Sequence, residues 1–329
     1  MLPTRNTRQT APEWVQRPGM TDTGGQSRIT PITRRQWLRR ALARGTGGLT
    51  GAGALLLGYA TWGEPFRPQV VRVDVPVVGL PSALDGLRIA HLTDFHVAGD
   101  GFPVSRLRAA ITLAVRERPD LVALTGDYIV DSAGTLASRT ADMAACAHAL
   151  APLARSARLG AFAVFGNHDF WPPPGDHPPL GPWRAAGVRP LLDEAVTLVV
   201  PGRDARITLI GLLSSLVRPT APAPVLARLP ARRPDEIRLL LWHEPDRADE
   251  SAQAGADVQL SGHTHGGQVV VPGVGPLALP PQGQKYPAGL FRVGPAGMPL
   301  YVSRGVGMLP PRVRFCCPPE VSLLTLRRR

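Results

Sequence analysis

Residues 87–94 read LRIAHLTD, a mostly apolar run that ends in polar groups. A short run of this kind predicts a buried strand. The segments downstream of it decide the fold. Residues 103–119, PVSRLRAAITLAVRERP, have helical periodicity and stop at a proline. Residues 120–127, DLVALTGD, predict a second buried strand, and a helix through about residues 138–155 leads to a third at 160–169, GAFAVFGNHD. Strand and helix alternate, so the body is of the α/β class. Each of the three strands terminates in an acid, an amide or a histidine. In open α/β sheets ligands lie beyond the carboxyl ends of the strands, so the three tips are expected to converge on one site.

Downstream, ITLIGL (207–212), IRLLLWHEPD (237–246) and ADVQLSGHTH (256–265) repeat the theme, and the last two again end in histidine. VVVPG, GLFRV, PLYVSRG and VSLLTL then read as short strands with Gly and Pro turns and no helix between them. The expectation is sheet packed on sheet, flanked by helices. The stretch WPPPGDHPPLGP (171–182) is too proline-rich for regular structure and is expected as a loop at the mouth of the pocket.

Collected in order, the strand-tip residues are Asp94 and His96, Asp127, Asn167 and His168, His243, then His263 and His265. In GHTHGGQ (262–268) two imidazoles stand one residue apart between glycines, which argues for a tight turn that brings backbone and rings close to something bound. Each residue alone has an ordinary reading: Asp94 a helix cap, Asp127 a turn residue, His243 a satisfied core histidine. Five such coincidences at strand ends favour a metal site. Four imidazoles besides His168, two carboxylates and one amide oxygen form a mixed N and O donor set, which suits Mn, Fe or Zn better than Ca or Mg.

The chain has 329 residues, 44% of them apolar, enough for a sizeable core. The formal charge of +12 is concentrated at the N-terminus: residues 1–63 carry nine arginines against Glu13 and Asp22, which leaves +5 for the rest. Basic and aromatic residues are not interleaved and aromatics total 5%, so no nucleic-acid partner is expected. Cys316 and Cys317 are adjacent and Cys146 is far away in sequence, so no disulfide framework is expected.

Residues 33–40, TRRQWLRR, are followed by the Gly-rich apolar run GTGGLTGAGALLLGYATW (45–62). A paired arginine before a weakly apolar segment has the form of a twin-arginine export signal, with the translocase as partner. A basic-flanked membrane helix is the other reading, though six glycines weaken it. Arg34, Arg35, Arg39, Arg40 and Arg44 keep their side of the run cytoplasmic and place the body outside in either case. The expected location is the extracytoplasmic face of the membrane, the periplasm or the medium. An uncleaved anchor and a released protein stay open, as do Met1 and Met20 as starts. The boundaries read as 1–32 for a disordered extension, 33–63 for the signal or anchor, and 64–329 for the catalytic domain.

The motifs DFH, GDY, GNHD, WHEPD and GHTHGGQ together resemble the calcineurin-like metallophosphoesterase superfamily; YVSRGVG and the paired arginines are similar to its exported or membrane-anchored YkuE/YaeI-type bacterial branch. The match spans roughly residues 86–327. The resemblance implies a four-layer αββα sandwich of two mixed sheets flanked by helices. It implies two divalent ions, one bound by Asp94, His96 and His265, the other by Asn167, His243 and His263, with Asp127 bridging. It implies hydrolysis of phosphomonoester, phosphodiester or pyrophosphate bonds by a metal-bridging hydroxide, with His168 assisting the leaving group. Asp131 stands one residue later than the acid that orients such a histidine in some relatives, and its role is left open. The expected substrate is a phosphorylated small molecule or an envelope lipid, and a monomer is expected. The alternatives are a lipid A precursor pyrophosphatase of the UDP-diacylglucosamine type and a catalytically silent metal-binding module.

Overall fold

The computed structural model describes residues 52–97, 103–130, 135–170 and 178–329, and residues 53–329 form one compact unit. Most of the export segment, Asp131 and most of the proline-rich stretch at 171–182 lie outside the described residues.

One sheet contains β1 (Gln69–Val77), β2 (Arg88–Leu92), β3 (Leu121–Leu124), β4 (Ala161–Ala163), β5 (Val188–Pro190) and β14 (Glu320–Arg328), in the order β1-β14-β2-β3-β4-β5. The other contains β6 (Glu194–Val199), β7 (Arg206–Gly211), β8 (Glu236–Leu241), β9 (Val258–Ser261), β12 (Gly289–Val293) and β13 (Met298–Val302), in the order β12-β13-β9-β8-β7-β6. Both sheets are mixed. Strands β2 to β5 run parallel and β14 opposes β2, while β7, β8, β9 and β13 run parallel between antiparallel edges. A small hairpin of β10 (Val270–Val271) and β11 (Gly275–Pro276) stands apart from both.

The apolar runs are near-continuous because each central strand is covered on both faces. Ile89, Leu121 and Ala123 point into the core between the sheets, where they meet Leu209, Leu239 and Leu241 of the second sheet. Their neighbours Ala90, Val122 and Leu124 face the other way, onto Leu107, Ile111 and Leu150 of the helices Leu107–Arg116 and Leu136–Ser156. On the far side Ile210, Leu240 and Trp242 pack with Val225 and Ala248 of two short helices. Helix, sheet, sheet, helix is the four-layer order expected, and the period-two alternation of a strand builds it.

The helix expected near residues 138–155 runs from Leu136 to Ser156, with the Thr135 hydroxyl accepting from Ser138 N–H at 3.1 Å at its start. Pro152 lies inside its last turns. VSLLTL, expected only as a strand, crosses to the first sheet and inserts between β1 and β2.

Candidate metal centre

The five parallel strand ends β2, β3, β4, β8 and β9 deliver the candidate residues to one place. The turns after β2 and β3 are laced together: Asp94 N–H donates to Gly126 O at 2.9 Å, and the N–H groups of Phe95 and His96 both donate to Asp127 O at 2.8 and 3.0 Å. His263 N–H reaches the Asp94 carboxylate at 3.0 Å, tying the second sheet to the first, and His168 N–H donates to Asp127 Oδ1 at 3.0 Å. Asp94, His96, Asp127, His263 and His265 all have positive φ, between 47° and 72°. The left-handed region is uncommon for residues with a side chain and disfavours each by about 1–2 kcal/mol. Five such residues around one centre are strain held by the surrounding structure. The motif glycines make room for them: a Cβ at Gly166 would lie 2.2 Å from Asp127 Oδ1, and one at Gly262 would lie 2.3 Å from Asp94 Oδ2.

Asp94, His96 and His265 form one group of converging donor atoms, and Asp127, His243 and His263 form another. All six are buried. In the first, the Nε2 atoms of His96 and His265 are 2.9 Å apart and His265 Nε2 lies 3.4 Å from Asp94 Oδ1. In the second, His243 Nε2 is 3.1 Å from Asp127 Oδ2 and 3.3 Å from His263 Nδ1. The same Asp127 Oδ2 lies 3.6 Å from His96 Nε2, so one carboxylate oxygen reaches an imidazole of each group.

The proton positions of the second group follow from its outer contacts. His243 Nδ1 donates to Thr125 O at 2.6 Å and His263 Nε2 donates to Pro281 O at 2.8 Å, because a carbonyl can only accept. The nitrogens that face each other, His243 Nε2 and His263 Nδ1, are therefore the ones left for the centre. Outer hydrogen bonds that fix the tautomer in this way are the usual company of metal-binding histidine. Burial drives His96 down to about 3, holds His265 well below its ordinary value, and lowers His263 with help from His243. Those three imidazoles are neutral and able to ligate. Burial also works against a charged His243, but Asp127 and then Asp94 outweigh it and hold its pKa well above the ordinary value. Burial pushes Asp94 up to about 7, with His243 opposing and Asp127 adding to the rise. Burial would raise Asp127 as well, yet His243 and His168 keep its carboxyl well below the usual range. Positive charge is favoured between Asp127 and the imidazoles.

Asn167 Oδ1 is buried without a hydrogen-bond partner and lines the same cavity as Asp127, His168, His263 and His265. His168 is half-buried on that wall, with its ring centroid 5.2 Å from that of His96. Three further residues support the site without having been singled out in the sequence. Asp169, in the motif GNHD, accepts from Gly166 N–H and Asp127 N–H at 2.8 Å and from Tyr128 N–H at 2.7 Å, clamping two ligand-bearing turns together. Buried Arg139 donates to His168 O at 3.2 Å and to Phe170 O at 2.9 Å. Gln268, last residue of GHTHGGQ, donates to Leu309 O at 3.1 Å and accepts from Leu309 N–H at 2.7 Å, joining the turn to a later loop. The acid of GNHD and the glutamine of GHTHGGQ were visible as motif members; nothing in the sequence marked Arg139.

The cavity over the centre measures about 610 Å³. Its floor is polar, and its walls are apolar: Leu216, Val269, Leu277, Leu279, Leu309 and Val313, with prolines between them.

Buried imidazoles and carboxylates at the carboxyl ends of two packed sheets are the site of a metal-dependent hydrolase of phosphoric esters. The chain belongs to the calcineurin-like phosphoesterase family, which residues 87–267 match. It is 31% identical to the uncharacterized metallophosphoesterase YkuE of Bacillus subtilis over 88% of this chain and 97% of that one. It is 32% identical to the phosphodiesterase YaeI of Escherichia coli, covering 90% of this chain and 99% of that protein. The UDP-2,3-diacylglucosamine pyrophosphatase LpxG of Chlamydia trachomatis is 25% identical, over 80% of this chain and 91% of its own length.

Proposed function

We propose that this chain is a two-metal phosphoesterase that hydrolyses a phosphorylated lipid or related amphiphile outside the cytoplasmic membrane. The observation that carries the two-metal reading is Asp127 Oδ2, poised between His243 Nε2 at 3.1 Å and His96 Nε2 at 3.6 Å. The donor set fits: Asp94, His96 and His265 would hold one cation, His243, His263 and the orphaned Asn167 Oδ1 the other, and Asp127 both. Mn, Fe and Zn suit these donors. Two such cations supply an activated water and positive charge against the phosphoryl oxygens.

The chain's own residues do the rest. Held by its N–H on Asp127 and by Arg139 on its carbonyl, His168 presents its imidazole to the cavity, where it can protonate a departing oxygen. The Leu, Val and Pro walls hold an apolar portion and keep water off it, which supports an amphiphile over a sugar or nucleotide phosphate alone. Location rests on the paired arginines and the apolar run after them; among the described residues no helix is long and apolar enough to cross a membrane. The likeness to a UDP-diacylglucosamine pyrophosphatase, taken together with the apolar walls of this chain's cavity, favours a lipid pyrophosphate as the second reading.

The test is metal analysis of the purified full-length protein, followed by p-nitrophenyl phosphate, its bis ester, phospholipids and a diacylglucosamine pyrophosphate as substrates. Two equivalents of metal, activity lost to chelator and restored by Mn or Zn, and preference for an acylated substrate are expected. Turnover that survives complete removal of metal would refute the two-metal reading, and a preference for unacylated phosphates would refute the lipid reading.

A further inference from the structure

Residues 53–58 are helical and carry Leu55, Leu56 and Leu57, exposed by 77%, 53% and 61%. Successive helical residues point about 100° apart, so three neighbouring leucines cannot all rest on one flat partner. A helix that is apolar all round sits in a core or in lipid. The chain then passes Trp62, also 77% exposed, and is fastened to the body: Arg314 N–H donates to Ala60 O at 2.9 Å, and the Glu64 carboxylate accepts from Cys316 N–H at 3.1 Å. On its other side the segment around Phe315 pairs with the start of the hairpin, Phe315 N–H to Gln268 O at 3.0 Å and Val270 N–H to Phe315 O at 2.9 Å. Leu277 N–H in turn donates to Val269 O at 3.0 Å. Hydrogen bonds thus link Ala60 to Leu277 through the intervening segments around Phe315 and Val269.

The hairpin is unusually apolar for an exposed loop. Val274 at its tip is 78% exposed and Leu277 is 64% exposed, and residues 269–284 include no charged side chain. Val269, Leu277 and Val313 of this strip also line the cavity. The apolar helix and the apolar hairpin therefore flank one strip of backbone whose side chains form a wall of the cavity over the candidate metal centre.

We propose that the tip of the β10–β11 hairpin, Val274 with Leu277, is a membrane contact that acts together with residues 53–62 and seats the mouth of the cavity on the bilayer. The occupant is a lipid surface rather than a protein face because the three leucines point in different directions. Upstream, the sequence continues into the apolar run from Gly45 and the five arginines between Arg34 and Arg44, whose charge suits anionic headgroups. Amphiphiles then reach the floor from the lipid side without crossing water. This deepens the lipid reading above, and its first test does not depend on catalysis.

The full-length chain with Cys316→Ser has only the buried Cys146 and Cys317, so one reactive thiol can be introduced. Val274→Cys is compared with Val199→Cys, which is also exposed but closes β6 opposite Arg206, at the end of the second sheet away from the site. Each is labelled with a polarity-sensitive fluorophore and mixed with phosphatidylethanolamine and phosphatidylglycerol vesicles, with and without nitroxide-bearing lipid. The label at 274 should shift to the blue and be quenched by the nitroxide, and the label at 199 should do neither. A label at 274 that keeps its aqueous spectrum overturns the proposal, whether or not the protein pellets with the vesicles. A blue shift without vesicles that grows with protein concentration overturns it too, by assigning the patch to a second copy. In the second arm, Val274→Asp should hydrolyse a soluble p-nitrophenyl ester like the parent and vesicle-borne phospholipid about tenfold more slowly, the scale of one buried valine. Equal rates on vesicles count against the contact. Absence of lipid turnover in both proteins counts against the lipid substrate alone, because the fluorescence still reads the surface.

Discussion

The floor and the walls of the cavity are built by opposite rules. The floor residues follow strand ends between residues 94 and 265; Asp94, His96, Asp127, His168 and His263 are tied by hydrogen bonds of their own backbone, and five floor residues sit in a strained conformation. The walls come largely from loops between residues 268 and 313 and offer little but apolar surface. The floor must hold donor atoms to within tenths of an ångström, and only rigid strand ends linked by glycine turns do that. The walls need only shape and dryness, and loops can supply these in many sequences. On the reading proposed above, reaction type is written in the floor and substrate choice in the walls.

The sharpest way to break this division is Asp127→Asn. It keeps the shape but halves the negative charge available to the two groups of donors, so metal content should fall and hydrolysis of every substrate should drop to background. Normal metal content and turnover on either a soluble or a lipid ester would show that the floor does not work as one unit. His168→Ala should leave metal content near that of the parent while lowering kcat by roughly 10²–10⁴, the range for loss of a general acid. The loss should shrink for esters with good leaving groups. If metal is lost as well, His168 belongs among the ligands.

Arg139→Met tests whether positioning from the helix layer matters. Freed from its clamp on the carbonyls of His168 and Phe170, the turn should drift, and kcat should fall by about tenfold to a hundredfold. The reduced rate should keep the leaving-group dependence of the parent, whereas His168→Ala alters it. The smallest effect is expected from the walls. Leu309→Ala should raise KM for an acylated substrate about tenfold, the scale of one lost leucine contact, and change kcat little. An equal loss on a small soluble ester would blur the distinction between wall and floor.

The sequence disclosed the floor well because the chemistry of phosphoryl transfer tolerates few donor types, and they sit where periodicity predicts strand ends. Asp94, Asp127, Asn167, His243 and His263 could each be placed that way. The grouping of Asp94 with His96 and His265 needed the resemblance, since nothing in spacing alone tells which of His263 and His265 faces which carboxylate. The strands β1, β5 and β6 escaped notice: β5 has only three residues, and β1 and β6 are half-exposed, with no clean apolar run. Arg139 reads in sequence as one more helical arginine, and only the fold turns it inward. The walls were invisible because proline, leucine and valine in a loop carry no pattern until the loop is placed.

Strand β14 gives the molecule a timetable. It lies between β1 and β2, in register with Gln69 to Val77 on one side and with residues 88–91 on the other, so the first sheet cannot close until residues 320–328 have been made. During synthesis the strand that ends in Asp94 waits with an open edge. The glycines that press on Asp94, Gly305 and Gly307, arrive only shortly before the last strand. On this topology the first sheet is completed only after every candidate ligand is already present in the chain. A message broken after Pro319 would yield a polypeptide with all seven candidate ligands and no centre to hold them. Such a product should bind no metal above the level of an unfolded chain.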